Sequence, residues 1–208
     1  MDLQFYGANC VRLTSKKAVI DIDDNLVSLG AKSVTKAGDV AVYTAAHDAP
    51  VSEAKLVIDQ PGEYEVSDVS ITGIAARSHM DEAGQQTATM YRIVMEDIRI
   101  AVLGHVHPDL SNDQLEQLGM VDVALVPVGG NGYTLDPIGA LKLIKAIEPK
   151  VVIPTHYDQP GIKYPVPQQT LADAIKGLGM EPQEATTKLK LKATDLSESM
   201  QLVVLEKQ

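Results

Sequence analysis

Five histidines are the side chains of this sequence best suited to chemistry. They are His47, His79, His105, His107 and His156, and each lies at or just beyond the end of a predicted strand. Loops at strand ends are where a rigid scaffold presents functional groups. One histidine in such a place is more often a surface or hydrogen-bonded residue than a ligand. Five of five indicate a functional site.

Four segments carry a more specific pattern. They read D-Q-P-G-E-Y-E-V-S-D-V-S-I-T-G-I over 59–74, L-E-Q-L-G-M-V-D-V-A-L-V-P-V-G-G over 115–130, I-E-P-K-V-V-I-P-T-H-Y over 147–157, and the tail over 189–205. In this order, and over nearly the whole chain, they resemble the metallo-β-lactamase superfamily, in its small Zn-dependent hydrolase branch related to L-ascorbate-6-phosphate lactonase. The resemblance implies an α/β (α+β) fold, a four-layer αββα sandwich of metallo-β-lactamase type.

The resemblance also implies a first metal motif of the form H-x-H-x-D-H. The corresponding stretch here is T-A-A-H-D-A-P over 44–50. Only His47 matches a motif histidine, because Ala45 and Pro50 stand in the other two histidine positions. Ala49 stands in the position of the motif aspartate. Most of the first motif is therefore lost.

A second ligand segment in similar proteins reads H-L-G-D-L-G-H, and here it is V-L-G-H-V-H over 102–107. In that register Val102 takes the place of a ligand histidine, and His105 takes the place of the aspartate that bridges two metals. The final ligand, in I-P-x-H-Y, is kept as His156. A two-metal site of the family type is therefore not expected.

By this resemblance, His47, His105 and His156 are the candidate metal ligands. Three imidazoles can hold one Zn²⁺ with an open position for water, so at most one zinc ion is expected. Asp48 is the only nearby carboxylate that could act as a catalytic base, and Asp48 or His107 could also join the ligands. The implied reaction is attack of metal-bound hydroxide on a lactone, ester or phosphoester.

The same substitutions support a second hypothesis from another class. In it, the chain is a catalytically inactive pseudoenzyme that keeps the fold and uses the old cleft, or an oligomer surface, as a binding or scaffold protein. Loss of the motif aspartate favours this hypothesis, and the surviving histidines favour the enzyme. Asp21, Asp23 and Asp24 resemble the family's D-P region without its proline. We interpret such an aspartate as one that hydrogen-bonds the neighbouring loop rather than a catalytic group.

Alternating and continuous apolar runs predict the elements that must position these residues. The predicted helices lie near 111–118, 136–147 and 168–178, with Ser111 and Asp136 as N-caps. The predicted strands are 3–6, 11–14, 18–22, 40–43, 55–58, 69–74, 89–95, 98–103, 121–127, 151–153, 187–191 and 201–205. A β-meander followed by β-α-β-α units predicts two packed sheets with helices on the outer faces.

Length, net charge and cysteine content restrict what kind of protein this is and what it can bind. The 208 residues suit one domain over 1–208, without a linker or repeat. A formal charge of −10 with no basic cluster argues against nucleic acid and anionic membranes. With Cys10 as the only cysteine, no leader-like segment at Met1 and no long apolar run, we expect a cytoplasmic protein. The expected partner is a small molecule, with a homo-oligomer possible.

Overall fold

The computed structural model of the chain describes residues 1–47 and 53–208. In that part of the chain, thirteen strands form a six-stranded and a seven-stranded sheet. The strands are β1 (Asp2–Gly7), β2 (Cys10–Thr14), β3 (Val19–Ile22), β4 (Val40–Val42), β5 (Leu56–Ile58), β6 (Gly62–Val66), β7 (Val69–Ala76), β8 (Ala88–Met95), β9 (Ile98–Val102), β10 (Val123–Pro127), β11 (Val151–Thr155), β12 (Leu189–Lys190) and β13 (Gln201–Leu202).

The first sheet has the order β12-β1-β2-β3-β4-β5. Strands β1, β2 and β3 form an antiparallel meander, while β4 and β5 join in parallel. Strand β1 alternates strictly between buried and half-buried residues, as expected for a strand with one face on the core.

The second sheet has the order β13-β11-β10-β9-β8-β7-β6. Strands β6 to β9 are antiparallel hairpins, and β9, β10, β11 and β13 are parallel. Every residue of β10 and β11 is buried. Their continuous apolar sequence follows from this, because these strands are covered on both faces.

Three helices accompany the second sheet: α1 (Asn112–Leu118), α2 (Pro137–Ile147) and α3 (Leu171–Leu178). Ser111 and Gln114 form a capping box at α1, and the Asp136 carboxylate caps α2, which starts with Pro137. Helix α1 packs on β7, α2 packs on β10, and α3 packs on α2. Each start signal in the sequence is satisfied by a hydrogen bond.

The two sheets share one apolar core. A single cluster of buried side chains includes Leu13 and Ile20 from the first sheet, and Ile71 and Ile93 from the second. At one end of the sheets, backbone bonds also join them: the Thr89 amide donates to the Thr44 carbonyl over 2.9 Å. This bond joins the loop after β4 to strand β8 of the second sheet.

The predicted fold class is confirmed: residues 1–47 and 53–208 form a mixed α/β fold with two sheets and three α-helices. The extent of the domain, 1–208, stays a prediction. No helix among the described residues has the length and apolar character that crossing a bilayer requires.

Some element boundaries differ from the sequence prediction. Strand β6 was not predicted, because G-E-Y-E-V is only half-buried and lies at the edge of its sheet. Helix α3 begins at Leu171 rather than at Gln168, because the Thr170 hydroxyl accepts from the Asp173 amide and fixes the first turn. The strand predicted over 187–191 is reduced to Leu189–Lys190, where it pairs with β1.

Candidate functional site

Three loops bring the predicted histidines to one cleft. His47 follows β4, His105 follows β9, and His156 follows β11. All three line the same cavity of about 330 Å³. The structure therefore places the three candidate ligands around a common space, and this space is the size of a small-molecule pocket.

His105 is held from behind by a chain of hydrogen bonds. Its Nδ1 lies 3.3 Å from the Thr44 hydroxyl oxygen. That hydroxyl donates to the Asp23 carboxylate over 2.6 Å, and the Thr44 amide donates to the other carboxylate oxygen over 2.7 Å. A hydroxyl has one proton, and Thr44 gives it to Asp23. Nδ1 of His105 must then be the N–H donor, which leaves Nε2 as an acceptor.

Glycine makes the close approach of His105 to Thr44 possible. Gly104 has a φ of +55°, in the left-handed region that favours glycine. A Cβ added at Gly104 would overlap the Thr44 side chain. Both the positive φ and the contact with Thr44 therefore require glycine at position 104.

His156 is held in the same manner by a different partner. It is only 3% exposed, has a φ of +53°, and its amide donates to the Ala8 carbonyl over 2.7 Å. Its Nδ1 lies 3.1 Å from Gln168 Oε1, while the Gln168 amide nitrogen donates to the Val166 carbonyl over 2.9 Å. The Val166 bond assigns Oε1 as the acceptor, so Nδ1 of His156 is protonated and Nε2 is an acceptor.

The two imidazoles form a pair. Their ring centres are 5.4 Å apart and their planes meet at 80°. The Tyr133 ring lies 5.5 Å from His105 and 5.6 Å from His156. Burial lowers the pKa of His105 to about 4, and burial with the nearby His105 lowers the pKa of His156 to about 3. Both rings are therefore neutral at pH 7, each with a free lone pair on Nε2.

His47 lines the cleft but is engaged elsewhere. Its ring stacks on Tyr43 with centres 3.7 Å apart, and its Nε2 lies 3.6 Å from an Asp59 carboxylate oxygen. Its Nδ1 is buried and has no hydrogen-bond partner among the described residues. Of the three candidate ligands, His105 and His156 form the close pair, and His47 lines the same cavity.

The remaining predicted residues fall outside this cleft lining or outside the described part of the chain. Asp48, the candidate catalytic base, lies in 48–52, which the structure does not describe. His107 does not line the cavity. Its Nδ1 accepts from the Asp109 amide over 3.2 Å, and its ring centre lies 5.8 Å from that of His79.

The described side chains of the cleft provide too few ligands for a metal ion. Within residues 1–47 and 53–208, no group of three or more His, Cys, Asp or Glu side chains could hold one. A catalytic zinc takes three protein ligands and an open position, and the His105–His156 pair supplies two. Val102, in the place of a family ligand, is 2% exposed in the core. The described residues thus do not fit the family's paired metal centre, and the three-histidine ligand set stays a prediction.

Sequence reasoning missed most of the residues that support the pair. Thr44, Gln168 and Tyr133 carry no motif that marks them, because their roles arise only from contacts across the fold. Asp23 was interpreted as a carboxylate that hydrogen-bonds a neighbouring loop, and its two bonds to Thr44 confirm this. The same holds for Asp24, whose Oδ2 accepts from the amides of 34 and 35, over 2.8 Å each.

The fold has two mixed sheets that share a core, outer helices, and a polar cleft at the strand ends. Comparison with known families identifies its class. The model of the family described as "Beta-lactamase superfamily domain" matches residues 2–156. The chain belongs to this superfamily, as the sequence resemblance predicts.

Individual relatives match parts of the chain. A UPF0173 metal-dependent hydrolase of Pelotomaculum thermopropionicum is 35% identical over 82 residues, which are 39% of this chain and 32% of that protein. One of Thermococcus onnurineus is 31% identical over 101 residues, 47% of this chain and 44% of that protein. The chain thus matches less than half the length of these curated relatives.

A solved structure matches over the full length. A proposed Zn-dependent hydrolase of the metallo-β-lactamase superfamily from Thermotoga maritima superposes with a TM-score of 0.77 at 25% identity, covering 99% of each chain. The relatives are thus named as metal-dependent hydrolases, while the described residues of this chain lack a three-ligand group.

The burial of the pair predicts a loss of stability in acid. The pKa values of His105 and His156 are lowered below 6.5, so the unfolded chain binds more protons as the pH falls. Stability that is present above pH 6.5 is then lost as the pH falls towards 4. Burial raises the pKa of Asp23 to about 6, which has the opposite sign: stability is lost as the pH rises through 6.

The two effects can be separated by urea unfolding at pH 7.5, 6.0 and 5.0. We expect the free energy of unfolding of the parent to fall by about 2 kcal/mol over this range, since one pKa unit is worth about 1.4 kcal/mol. Asp23→Asn removes the opposing carboxyl titration, so its acid loss is expected to be steeper. An equal or shallower loss in Asp23→Asn would show that the Asp23 carboxyl is not destabilised by burial.

Proposed function

We propose that the chain is a small-molecule-binding member of the superfamily whose cleft has replaced the paired metal centre with two oriented imidazoles. The observation that carries this proposal is the His105–His156 pair, with ring centres 5.4 Å apart and each Nδ1 committed to a partner of its own. Two neutral acceptors in a polar cleft can orient a ligand without a metal ion. This proposal takes up the pseudoenzyme hypothesis, and the histidine pair supports it.

Substitution at the family's ligand positions supports the proposal. Ala45 lines the cleft where the resemblance places a histidine, and its methyl group has no lone pair. Val102 ends β9 among core side chains and cannot reach a metal in the cleft as a ligand. A neutral His105 in place of the bridging aspartate brings no negative charge to offset two cations. The geometry therefore favours binding over the hydrolysis of the relatives.

A fragment screen tests this proposal directly. Ligand-observed NMR with a library of small polar molecules should find binders to the parent protein. Ala46→Phe fills the mouth of the cleft at an exposed lining position, and we expect it to abolish binding. Ala83→Phe adds the same ring on an exposed loop outside the cavity, and should leave binding unchanged. Binders that persist equally in Ala46→Phe, or a library without binders, would contradict the proposal.

A weak single-metal hydrolase is the second candidate, and one observation favours it. Histidines that ligate metals donate their other ring N–H to a neighbouring acceptor. His105 and His156 both do so, through Thr44 and Gln168. They would supply two ligands to one zinc ion, and a third would have to come from His47 or from Asp48. Bound zinc would supply an activated water for attack on a lactone, ester or phosphoester.

We predict at most one equivalent of metal per chain and weak or absent lactonase activity. Elemental analysis of protein purified without an affinity tag measures the first. Ala45→His adds a third imidazole at a cleft-lining position, so it should raise zinc occupancy. His107→Ala removes an imidazole outside the cavity and should not change occupancy. Two tightly held ions in the unmodified chain would show that the register of the ligand loops is wrong.

The setting of the protein is part of the same proposal. We place it in the cytoplasm with a small-molecule partner and with neither nucleic acid nor a membrane surface, since the net charge of −10 repels phosphate groups. Whether it forms a homo-oligomer is measured by light scattering of the purified chain.

A further inference from the structure

The electrostatic lining of the cleft disfavours anionic ligands. Among its described lining residues there is no Lys or Arg, and residues 48–52 contain none in the sequence either. The carboxylate of Asp23 lines the cavity and is 2% exposed. With no fixed cation to face it, a phosphate or carboxylate group in this cleft would lose its hydration without gaining a counter-charge.

Three side chains of the cleft provide unpaired acceptors. Nε2 of His105 and Nε2 of His156 are free lone pairs, because both rings donate through Nδ1. Asn25 adds an amide oxygen that is buried without a partner among the described residues. Three acceptors around one cavity call for a ligand that carries several N–H or O–H donors.

Asn9 provides an unpaired donor in the cleft. Asn9 is 6% exposed and lines the cavity. Its Oδ1 accepts from the Thr155 hydroxyl over 2.8 Å, while its Nδ2 is buried and has no partner among the described residues. A buried amide group left unpaired is destabilising, and an oxygen of a ligand would satisfy it. The ligand should therefore carry an acceptor oxygen beside its donors.

We propose that the cleft recognises a small hydroxylated amine, of the amino alcohol or amino sugar class, and discriminates against phosphorylated and carboxylated molecules. Its amine and hydroxyl protons are donated to His105, His156 and Asn25, and one of its oxygens accepts from Asn9. The positive charge of the amine is balanced by the Asp23 carboxylate behind Thr44. A cavity of about 330 Å³ admits a molecule of monosaccharide size. This inference rests on the proposed binding function and names its ligand class.

Three sugars with one skeleton test the charge preference on the full chain freed of metal with EDTA. D-glucosamine, D-glucose and D-glucose 6-phosphate are titrated while the histidine side-chain ¹⁵N resonances are followed. We expect D-glucosamine to shift the Nε2 resonances of His105 and His156, with a Kd at least tenfold below that of D-glucose 6-phosphate, and D-glucose to fall between them.

Two variants separate charge from hydrogen bonding. Asp23→Asn removes the carboxylate, so the preference for D-glucosamine over D-glucose should fall towards one. Asn9→Ala removes the unpaired donor, so both sugars should weaken at least threefold. Gln85→Ala, on an exposed loop outside the cavity, is the control and should change neither.

The outcomes distinguish this inference from the proposed function. Tighter binding of D-glucose 6-phosphate, or no shift at His105 and His156 with any of the three sugars, overturns the ligand class. In either case the binding function stands or fails on the fragment screen with Ala46→Phe. An unchanged preference in Asp23→Asn likewise overturns the assignment of charge recognition to this carboxylate.

Discussion

Gly104→Ala is expected to lower the free energy of unfolding by about 3 kcal/mol, the sum of about 1 kcal/mol for a left-handed backbone and about 2 kcal/mol for overpacking. The residue has a φ of +55°, and its added methyl group would overlap the Thr44 side chain. Thr44 cannot retreat without giving up its two bonds to Asp23. Thermal unfolding should show a midpoint lower by roughly 10 °C.

Gly179→Ala is the matched control for this change. It has a φ of +63°, similar to that of Gly104, but a Cβ there meets no atom within 4 Å. Only the backbone term applies, so we expect a loss of about 1 kcal/mol. Equal losses of stability in the two variants would contradict the packing of Thr44 against Gly104 and, with it, the position of Thr44 beside His105.

Gly129→Ala is expected to have the second large effect, at the other histidine. Its added methyl group would overlap the His156 carbonyl oxygen and the Gln168 side-chain oxygen. The carbonyl is backbone at the end of β11, so relief requires a shift of the strand end itself. We expect a loss of about 3 kcal/mol in urea unfolding, the upper part of the range for overpacked sites.

The same change should also release His156 from Gln168, because their bond of 3.1 Å joins the groups that must move. Gly132→Ala, three residues along the same loop, is the control: a Cβ there meets no atom within 4 Å. It should cost about 1 kcal/mol for its positive φ and leave the His156 resonances in place. A Gly129→Ala protein as stable as Gly132→Ala would refute the packing assigned to the His156 loop.

The sequence predicted the fold well because its signals are local. Ser111 and Asp136 mark helix starts through bonds within one turn, and continuous apolar runs mark the buried strands β10 and β11. Strand β6 is not predicted because its stability depends on a contact that is not local. Its G-E-Y-E-V segment is stabilised as a strand by pairing with β7 at a sheet edge, and a half-exposed edge strand has a weak apolar pattern.

The site was only partly predictable. Position after a strand indicated all five histidines, and the family resemblance selected His47, His105 and His156, which line one cleft. Their orientation depends on Thr44 and Gln168, which lie 61 and 12 residues away in the chain. Neither periodicity nor spacing in the sequence predicts such contacts. The stacking of His47 on Tyr43 is likewise visible only in three dimensions.

The tautomers of the two cleft histidines test the central claim most directly. Long-range ¹H–¹⁵N correlation spectra of the metal-free protein at pH 7 distinguish an Nδ1–H imidazole from an Nε2–H imidazole and from an imidazolium. We predict that His105 and His156 are both neutral with the proton on Nδ1, because each Nδ1 faces its own hydrogen-bond partner and burial lowers both pKa values. An imidazolium, or a proton on Nε2 of either ring, would contradict the proposal that this pair presents two acceptors to the cleft.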